Sequence, residues 1–228
     1  MPTIIYTIIT GNYDNIKQPL VIEEGVEYVL FTNNPEIKDA GVWKVVQIPS
    51  EQWQGRTERE NNILLSRKVK ILAHKYLPKE CELGIYVDAD MLIKEPLTKL
   101  LNDLHEDTLF AACRHSYCKS VSDEINDLKA KGMVDTTQIE NQWQRYVEWG
   151  FKDNLGISEN GLLIRSNDAR VAQLMELWWE EYQNGCLRDQ VSLMPCMFRT
   201  DFMTYFQFIE IDIRNNNFVE VMRHKVDK

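Results

Sequence analysis

Two aspartates, Asp88 and Asp90, stand either side of Ala89 at the end of the apolar run Ile85-Tyr86-Val87. In extended chain, positions i and i+2 project to the same side, so both carboxylates can face one small volume. Carboxylates placed this way repel one another unless a cation lies between them, and hard oxygen ligands suit Mg²⁺ or Mn²⁺. An ion held there can also bind two phosphate oxygens. The plain alternative is a strand end with two solvated acids, because D-x-D recurs by chance. The apolar flanks, Ile85-Tyr86-Val87 and Met91-Leu92-Ile93, weigh against it, since acids in such surroundings are costly unless paired or metal-bound.

Other residues could serve the same chemistry. Arg67, Lys70 and His74 are spaced i, i+3, i+7 and share one helix face. Arg67 and Lys70 fit either phosphate contacts or an ordinary solvated face, and both readings stand at this point. Arg59 reads as solvated and His74 as a packing or capping residue. Of the other histidines, His115 follows a strand end and His224 lies in the tail, so each is a candidate third metal ligand, while His105 reads as structural. Gly156 and Gly161 bracket Glu159 and Asn160, which are either presented to a substrate at the sheet edge or part of a plain turn-rich loop. Asp189, in Arg188-Asp189-Gln190, reads as a helix N-cap. Trp178 and Trp179 read as core.

The elements that must position these residues follow from periodicity. Residues 3–10, 28–32 and 43–48 are continuous β-branched and aromatic runs stopped by turn residues, and 84–87, 109–113 and 161–164 are shorter strands. Helices are expected over 58–76, 97–104, 122–131, 136–149 and 169–182, with a short one after Asp189. Continuous apolar strands alternating with helices indicate an α/β fold, a mostly parallel central sheet with helices on both faces. No linker or repeat interrupts it, so residues 1–228 read as one domain. Ligands of such sheets sit beyond the carboxyl ends of the strands. Asn12-Tyr13-Asp14, Thr32-Asn33-Asn34, Asp88-Ala89-Asp90 and Arg114-His115 stand there.

The chain has 228 residues, 44% of them hydrophobic, and a net charge of −9. That charge argues against nucleic acid as a partner, since a phosphate-backbone binder carries a basic patch. A polyanionic ligand would need local positive charge or a metal ion. Five cysteines without a C-x-x-C pair read as thiols of a reducing compartment, with pairing or metal sharing by Cys113 and Cys118 the minor alternative. No signal sequence and no apolar stretch near the ~20 residues that span a bilayer is evident. The expectation is a cytoplasmic protein, with peripheral membrane contact still compatible.

A series of short matches runs in order through the chain. It comprises Tyr6-Thr7, Asn12-Tyr13-Asp14, Phe31-Thr32-Asn33, Ser66-Arg67-Lys68-Val69-Lys70 with His74 and Leu77-Pro78, and Tyr86-Val87-Asp88-Ala89-Asp90. Arg114-His115 with Asp123-Glu124, then Gln142, Tyr146 and Gly150 continue it. Residues 156–165, Trp178-Trp179-Glu180-Glu181 and Arg188-Asp189-Gln190-Val191-Ser192 close it. In these the chain resembles GT-A (Rossmann-like) glycosyltransferases. More specifically it resembles the glycosyltransferase-like family of plant and bacterial proteins formerly known as a domain of unknown function. It is also similar in outline to the glycogenin and galacturonosyltransferase group.

The resemblance implies a nucleotide-sugar donor, most often UDP-linked, a glycan or lipid-linked acceptor, and Mn²⁺ or Mg²⁺ at Asp88 and Asp90. It implies nucleotide contacts from Tyr13, Thr32 and Asn33, diphosphate or sugar contacts from Arg67 and Lys70, and a catalytic set of Glu159, Asn160 and Asp189 facing sugar and acceptor. In the glycogenin-like group a C-terminal histidine completes the metal shell and a nearby lysine touches the diphosphate. His224 and Lys225 stand in those roles, without the glycine and tryptophan that usually follow the lysine. The same outline implies a retaining transfer. Two rival classes are a metal-dependent hydrolase of a phosphoester or amide, and a non-catalytic module that binds nucleotide-sugar or glycan.

Overall fold

The first strand, β1 (Thr3–Ile9), is buried along its whole length. A strand with no solvent face belongs in the middle of a sheet covered on both sides. The computed structural model describes residues 2–222 and places β1 there, between β2 (Val26–Thr32) and β4 (Leu83–Val87), both parallel to it. β3 (Lys44–Gln47) adds outside β2. On the other side follow β7 (Ser158–Ser166), β6 (Phe110–Arg114) and β8 (Phe206–Ile209), giving the order β3-β2-β1-β4-β7-β6-β8. Only β7 runs against its neighbours, antiparallel to both β4 and β6. A separate ribbon pairs β5 (Met91–Ile93) with β9 (Val219–Val221).

Alternation along the strands sorts the interior into two cores. On one face Tyr6, Ile8, Phe31, Tyr86 and Leu163 meet side chains of five α-helices: α1 (Glu58–Ile71), α2 (Val121–Ala130), α3 (Thr136–Glu148), α4 (Ala169–Asn184) and α5 (Asp189–Arg199). On the other face Ile5, Ile9, Leu30, Val87 and Leu162 meet the β5–β9 ribbon, Ile213 and a 3₁₀ helix, Leu97–Asp103. The 3₁₀ segment stands where the sequence reads as an α-helix. Its first N–H groups, those of Leu97 and Thr98, donate to the buried Glu23 carboxylate at 2.7 and 3.2 Å, so a distant acid caps it.

Helix α1 starts where the capping box Thr57–Glu60 satisfies its free N–H groups, and it ends at Ile71 rather than at residue 76. A 3₁₀ turn, Ala73–Lys75, takes the remainder of the expected helix. The segment around Glu159 and Asn160, which also reads as a loop, is strand β7. It carries an irregularity: Ala112 pairs with Leu163, yet the next residue, Cys113, pairs with Glu159. The intervening residues 160–162 bulge from the ladder.

The turn between α4 and α5 decides where α5 begins. An added Cβ at Gly185 would meet Gln142 at 2.3 Å, so only glycine lets the two approach. The Gln142 carbonyl accepts from the Cys186 N–H at 2.9 Å, and its amide donates to the Tyr146 hydroxyl at 2.7 Å. Gln142→Leu keeps the volume and strands both groups in the interior. Urea denaturation should show a loss of about 1–3 kcal/mol, the cost of leaving buried polar groups unpaired.

Candidate functional site at the carboxyl ends of the strands

Strand β4 delivers Asp88 to the sheet edge, where its N–H donates to the Gly161 carbonyl at 2.8 Å. The Asp88 Oδ1 accepts from the Tyr86 hydroxyl at 2.5 Å and lies 3.7 Å from Lys70 Nζ. Its second oxygen faces Gly161: an added Cβ there would come within 3.2 Å of Oδ2 and 3.1 Å of Ile213. The same Cβ would meet the Met91 methyl at 2.2 Å, so glycine at 161 lets Met91, Ile213 and the carboxylate pack close against the β7 backbone. Two residues on, the Asp90 carbonyl accepts from Met222 N–H at 2.7 Å, so the residue that follows β9 ties the turn down. Two aspartates held by their backbones at one turn offer hard carboxylate oxygens, a donor chemistry that fits Mg²⁺ or Mn²⁺.

Beneath this turn lies an arrangement the sequence leaves open. Lys70 is neither solvated nor at the surface; its residue is 1% exposed. Its ammonium donates to Asp189 Oδ2 at 2.7 Å and lies 5.0 Å from the centre of the Tyr86 ring. Arg67, on the same helix, has Nε 4.0 Å from Asp189 and one third of its side chain exposed. Burial works to raise the Asp189 carboxyl, but the Lys70 and Arg67 charges outweigh it and hold it at about 2. Burial likewise opposes the Arg67 charge, and the Asp189 and Asp88 carboxylates turn its shift upward. Burial and the Asp88 charge push the Tyr86 phenol well above its ordinary range, so it stays a donor. Asp189 is the first residue of α5 and not its N-cap: Arg188 occupies the cap and makes no side-chain capping bond. The sheet-facing lysine claims the carboxylate instead.

The other candidates fall in several places. Glu159 is buried, with one oxygen paired to Arg214 at 2.5 Å and the other accepting from Ser116 Oγ at 3.2 Å. Asn160 is 2% exposed; its Oδ1 accepts from Ser158 at 2.7 Å, and its Nδ2 has no hydrogen-bond partner among the described residues. Asn33 ties the strand ends together, accepting from Gly11 N–H at 2.7 Å and donating to Asn62 at 2.8 Å. Thr32 is fully buried, and its hydroxyl accepts from the Asn34 N–H at 3.0 Å. Tyr13 is 40% exposed. A cleft of about 1050 Å³ opens here, with Asn12, Asn33, Asn34, Trp53 and Asn61 on its walls. His224 and Lys225 lie outside the described residues.

Two residues stand apart from this cleft. His74 bonds Glu176 of α4 at 2.9 Å, away from the acids. His115 joins Cys118 and Glu124 in a cluster whose ligand atoms lie within 4.8 Å of one another. Its Nδ1, however, accepts from the Tyr117 and Cys118 N–H groups at 3.2 and 2.9 Å. With that lone pair engaged, Nε2 carries the proton toward Glu124, and the Cys118 thiol donates to the same carboxylate at 3.3 Å. The cluster is closed by its own hydrogen bonds. Arg214 and Ser116, which engage Glu159, carry no sequence signal: one sits in an Asn-rich segment and the other in a polar turn.

Removing one member of the Lys70–Asp189 pair leaves an uncompensated buried charge, at a cost of about 3–5 kcal/mol, whereas removing both can be near neutral. Lys70→Met should therefore lose that much in chemical denaturation, and Lys70→Met/Asp189→Leu should regain most of it. The depressed Asp189 carboxyl stabilises the fold above its unfolded value of 3.8, and that contribution disappears as pH falls toward about 2. Wild type should lose stability more steeply than the double variant across that window.

A family model described as TOD1/MUCI70, glycosyltransferase-like domain, matches residues 2–224. Among solved structures, the galactosyltransferase LgtC in complex with donor and acceptor sugar analogues superposes with a TM-score of 0.50 at 13% identity, over 90% of this chain and 72% of that one. Mouse xyloside xylosyltransferase 1, in its apo form, gives 0.49 at 13% identity, over 90% and 83% of the two chains. No curated protein matches the sequence. At this identity the likeness speaks to the fold, which is that of the GT-A glycosyltransferases.

Proposed function

We propose that this chain, which belongs to the TOD1/MUCI70 glycosyltransferase-like domain family, moves a sugar from a UDP-linked donor to a hydroxyl of a saccharide or lipid-linked acceptor. The observation that carries the reading is the aspartate pair that follows β4, with Asp88 close against Gly161 and backed by Lys70 and Arg67. Asp88 and Asp90 would hold Mn²⁺ or Mg²⁺, which supplies charge to stabilise the departing diphosphate. The amide-walled cleft at the ends of β1 and β2, with Asn33 on its wall and Tyr13 where the neighbouring cleft continues from it, suits the base and ribose. Thr32 acts indirectly there by fixing the turn that presents Asn33 and Asn34. Arg67, part-exposed beside both Asp88 and Asp189, is the side chain placed to meet phosphate or donor sugar. Lys70 supports it from below.

The carboxylates of Glu159 and Asp189 are both engaged, one by Arg214 and Ser116 and the other by Lys70. Their part in this reading is to position and polarise, together with the unsatisfied amide of Asn160, and not to attack. That supports a retaining transfer without a covalent enzyme intermediate, in line with the glycogenin-like outline. His224 is assigned as third metal ligand and Lys225 as a diphosphate contact; the bond from Met222 to the Asp90 carbonyl supports both. The cytoplasm is the compartment assigned, supported by five free cysteines, four of them buried. Among the described residues no helix is long and apolar enough to cross a membrane.

Calorimetric titration of UDP with and without Mn²⁺ tests the assignment. Wild type should bind in a metal-dependent manner and slowly hydrolyse a UDP-sugar. Asp88→Ala and Asp90→Ala should each lose tenfold or more in metal-dependent affinity. Undiminished binding in both variants contradicts the site. Binding without hydrolysis or transfer identifies a non-catalytic module, and turnover of phosphoesters without nucleotide identifies a hydrolase.

A further inference from the structure

A second cleft, of about 710 Å³, continues from the first past Asn12 and Asn62 along α1 to the α4–α5 turn. Its volume is several times that of the single hexosyl group a donor would bring beside Arg67. The remainder of the space has its own chemistry. Ile63 and Met133, 40% and 52% exposed, supply apolar wall, and Leu187 joins them from the turn. Three guanidinium groups line it: Arg59, Arg67 and Arg188. Arg67 is committed to Asp189, whereas Arg188 and Arg59 form no ion pair among the described residues. The acids on the wall, Glu58 and Glu60, sit at the start of α1, with Glu60 held in the capping box. Arg67 lies about two helical turns further on, so positive charge collects at the end nearest Arg188.

That end also holds an unmet polar group. Tyr182 is 1% exposed and lines the cleft, and its hydroxyl has no hydrogen-bond partner among the described residues. Burial raises the phenol, against the pull of Arg67 and Arg188, so it stays protonated and able to donate. A buried hydroxyl without a partner beside an unpaired guanidinium, in a chain of net charge −9, is an arrangement that needs an oxygen-rich anionic ligand to complete it.

We infer that this cleft holds the acceptor, and that the acceptor is a saccharide bearing an oxyanion, a carboxylate or a phosphate, received by Arg188 and the Tyr182 hydroxyl. The inference rests on the donor reading above. Apolar contacts from Ile63, Met133 and Leu187 would take the C–H faces of the sugar rings, and the guanidinium would fix the register by bidentate contact.

Calorimetry in the presence of UDP and Mn²⁺ tests it with three probes: a uronic-acid trisaccharide, the same trisaccharide carboxyl-reduced to its neutral form, and a hexose phosphate. Wild type should bind one anionic probe at least tenfold more tightly than the neutral one, and which one distinguishes carboxylate from phosphate. Arg188→Gln should abolish that preference and Arg188→Lys should keep part of it; Tyr182→Phe should weaken the anionic probe severalfold. Equal binding of all probes, no binding of any, or a preference untouched by Arg188→Gln overturns the inference while UDP–Mn²⁺ binding persists. Failure of wild type to bind UDP–Mn²⁺ overturns the donor reading and this one with it.

Discussion

Lys70 and Asp189 meet in the interior, 119 positions apart, through one short charge-assisted hydrogen bond. Much of the site hangs on that contact. Lys70 comes from α1, which also carries Arg67, and Asp189 is the first residue of α5. The bond therefore fixes the relation of two helices to β4, the strand that leads into Asp88. Taken alone, such a pair adds little to stability, because desolvating both charges offsets their attraction. Its effect lies in specificity. The ammonium also faces Asp88 and the Tyr86 ring, so one cation organises both the carboxylate that would meet a metal and the one that would lie beside a donor sugar.

The same pairing bears on how an acidic chain would accommodate a diphosphate. The local acids are matched before any ligand arrives: Asp189 by Lys70 and Arg67, Glu159 by Arg214. Asp88 also meets Lys70, at 3.7 Å, so a divalent ion shared by Asp88 and Asp90 would add its charge to a site already partly neutralised. Strand β7 contributes through its two ladders. Its ladder with β4 stays in register, and the next step of that register sets the Gly161 carbonyl on the Asp88 N–H, while its ladder with β6 is the one that slips, at residues 160–162. Its antiparallel course delivers Glu159 and Asn160 to the same end of the sheet as Asp88.

Some of this is legible in the chain and some is not, for physical reasons. β1 declares itself because all its residues are apolar or β-branched, and the aspartate pair does so because it follows such a run. The parallel sheet and five α-helices follow from periodicity. Lys70 is different: helical spacing puts it on a face shared with charged residues, and nothing local signals a partner on another helix. Asp189 suits an N-cap so well by type that its contact with the lysine is invisible in sequence. β5, β8 and β9 have only three or four residues each, too few for a period, and the β5–β9 pairing depends on a segment more than a hundred residues away. Glu159 and Asn160 look like loop residues because polar side chains in a buried strand need partners, Arg214 and Ser158, that only the fold brings near.

The central claim is a divalent ion between the two aspartates at the end of β4, bridging to the diphosphate of a nucleotide-sugar. Anomalous diffraction from crystals grown with Mn²⁺ and UDP measures this directly. The account predicts one manganese peak within coordinating distance of carboxylate oxygens of both Asp88 and Asp90 and of the two phosphates, with the base in the cleft beside Asn33. A nucleotide bound there without metal, or a manganese peak away from both aspartates, would contradict it.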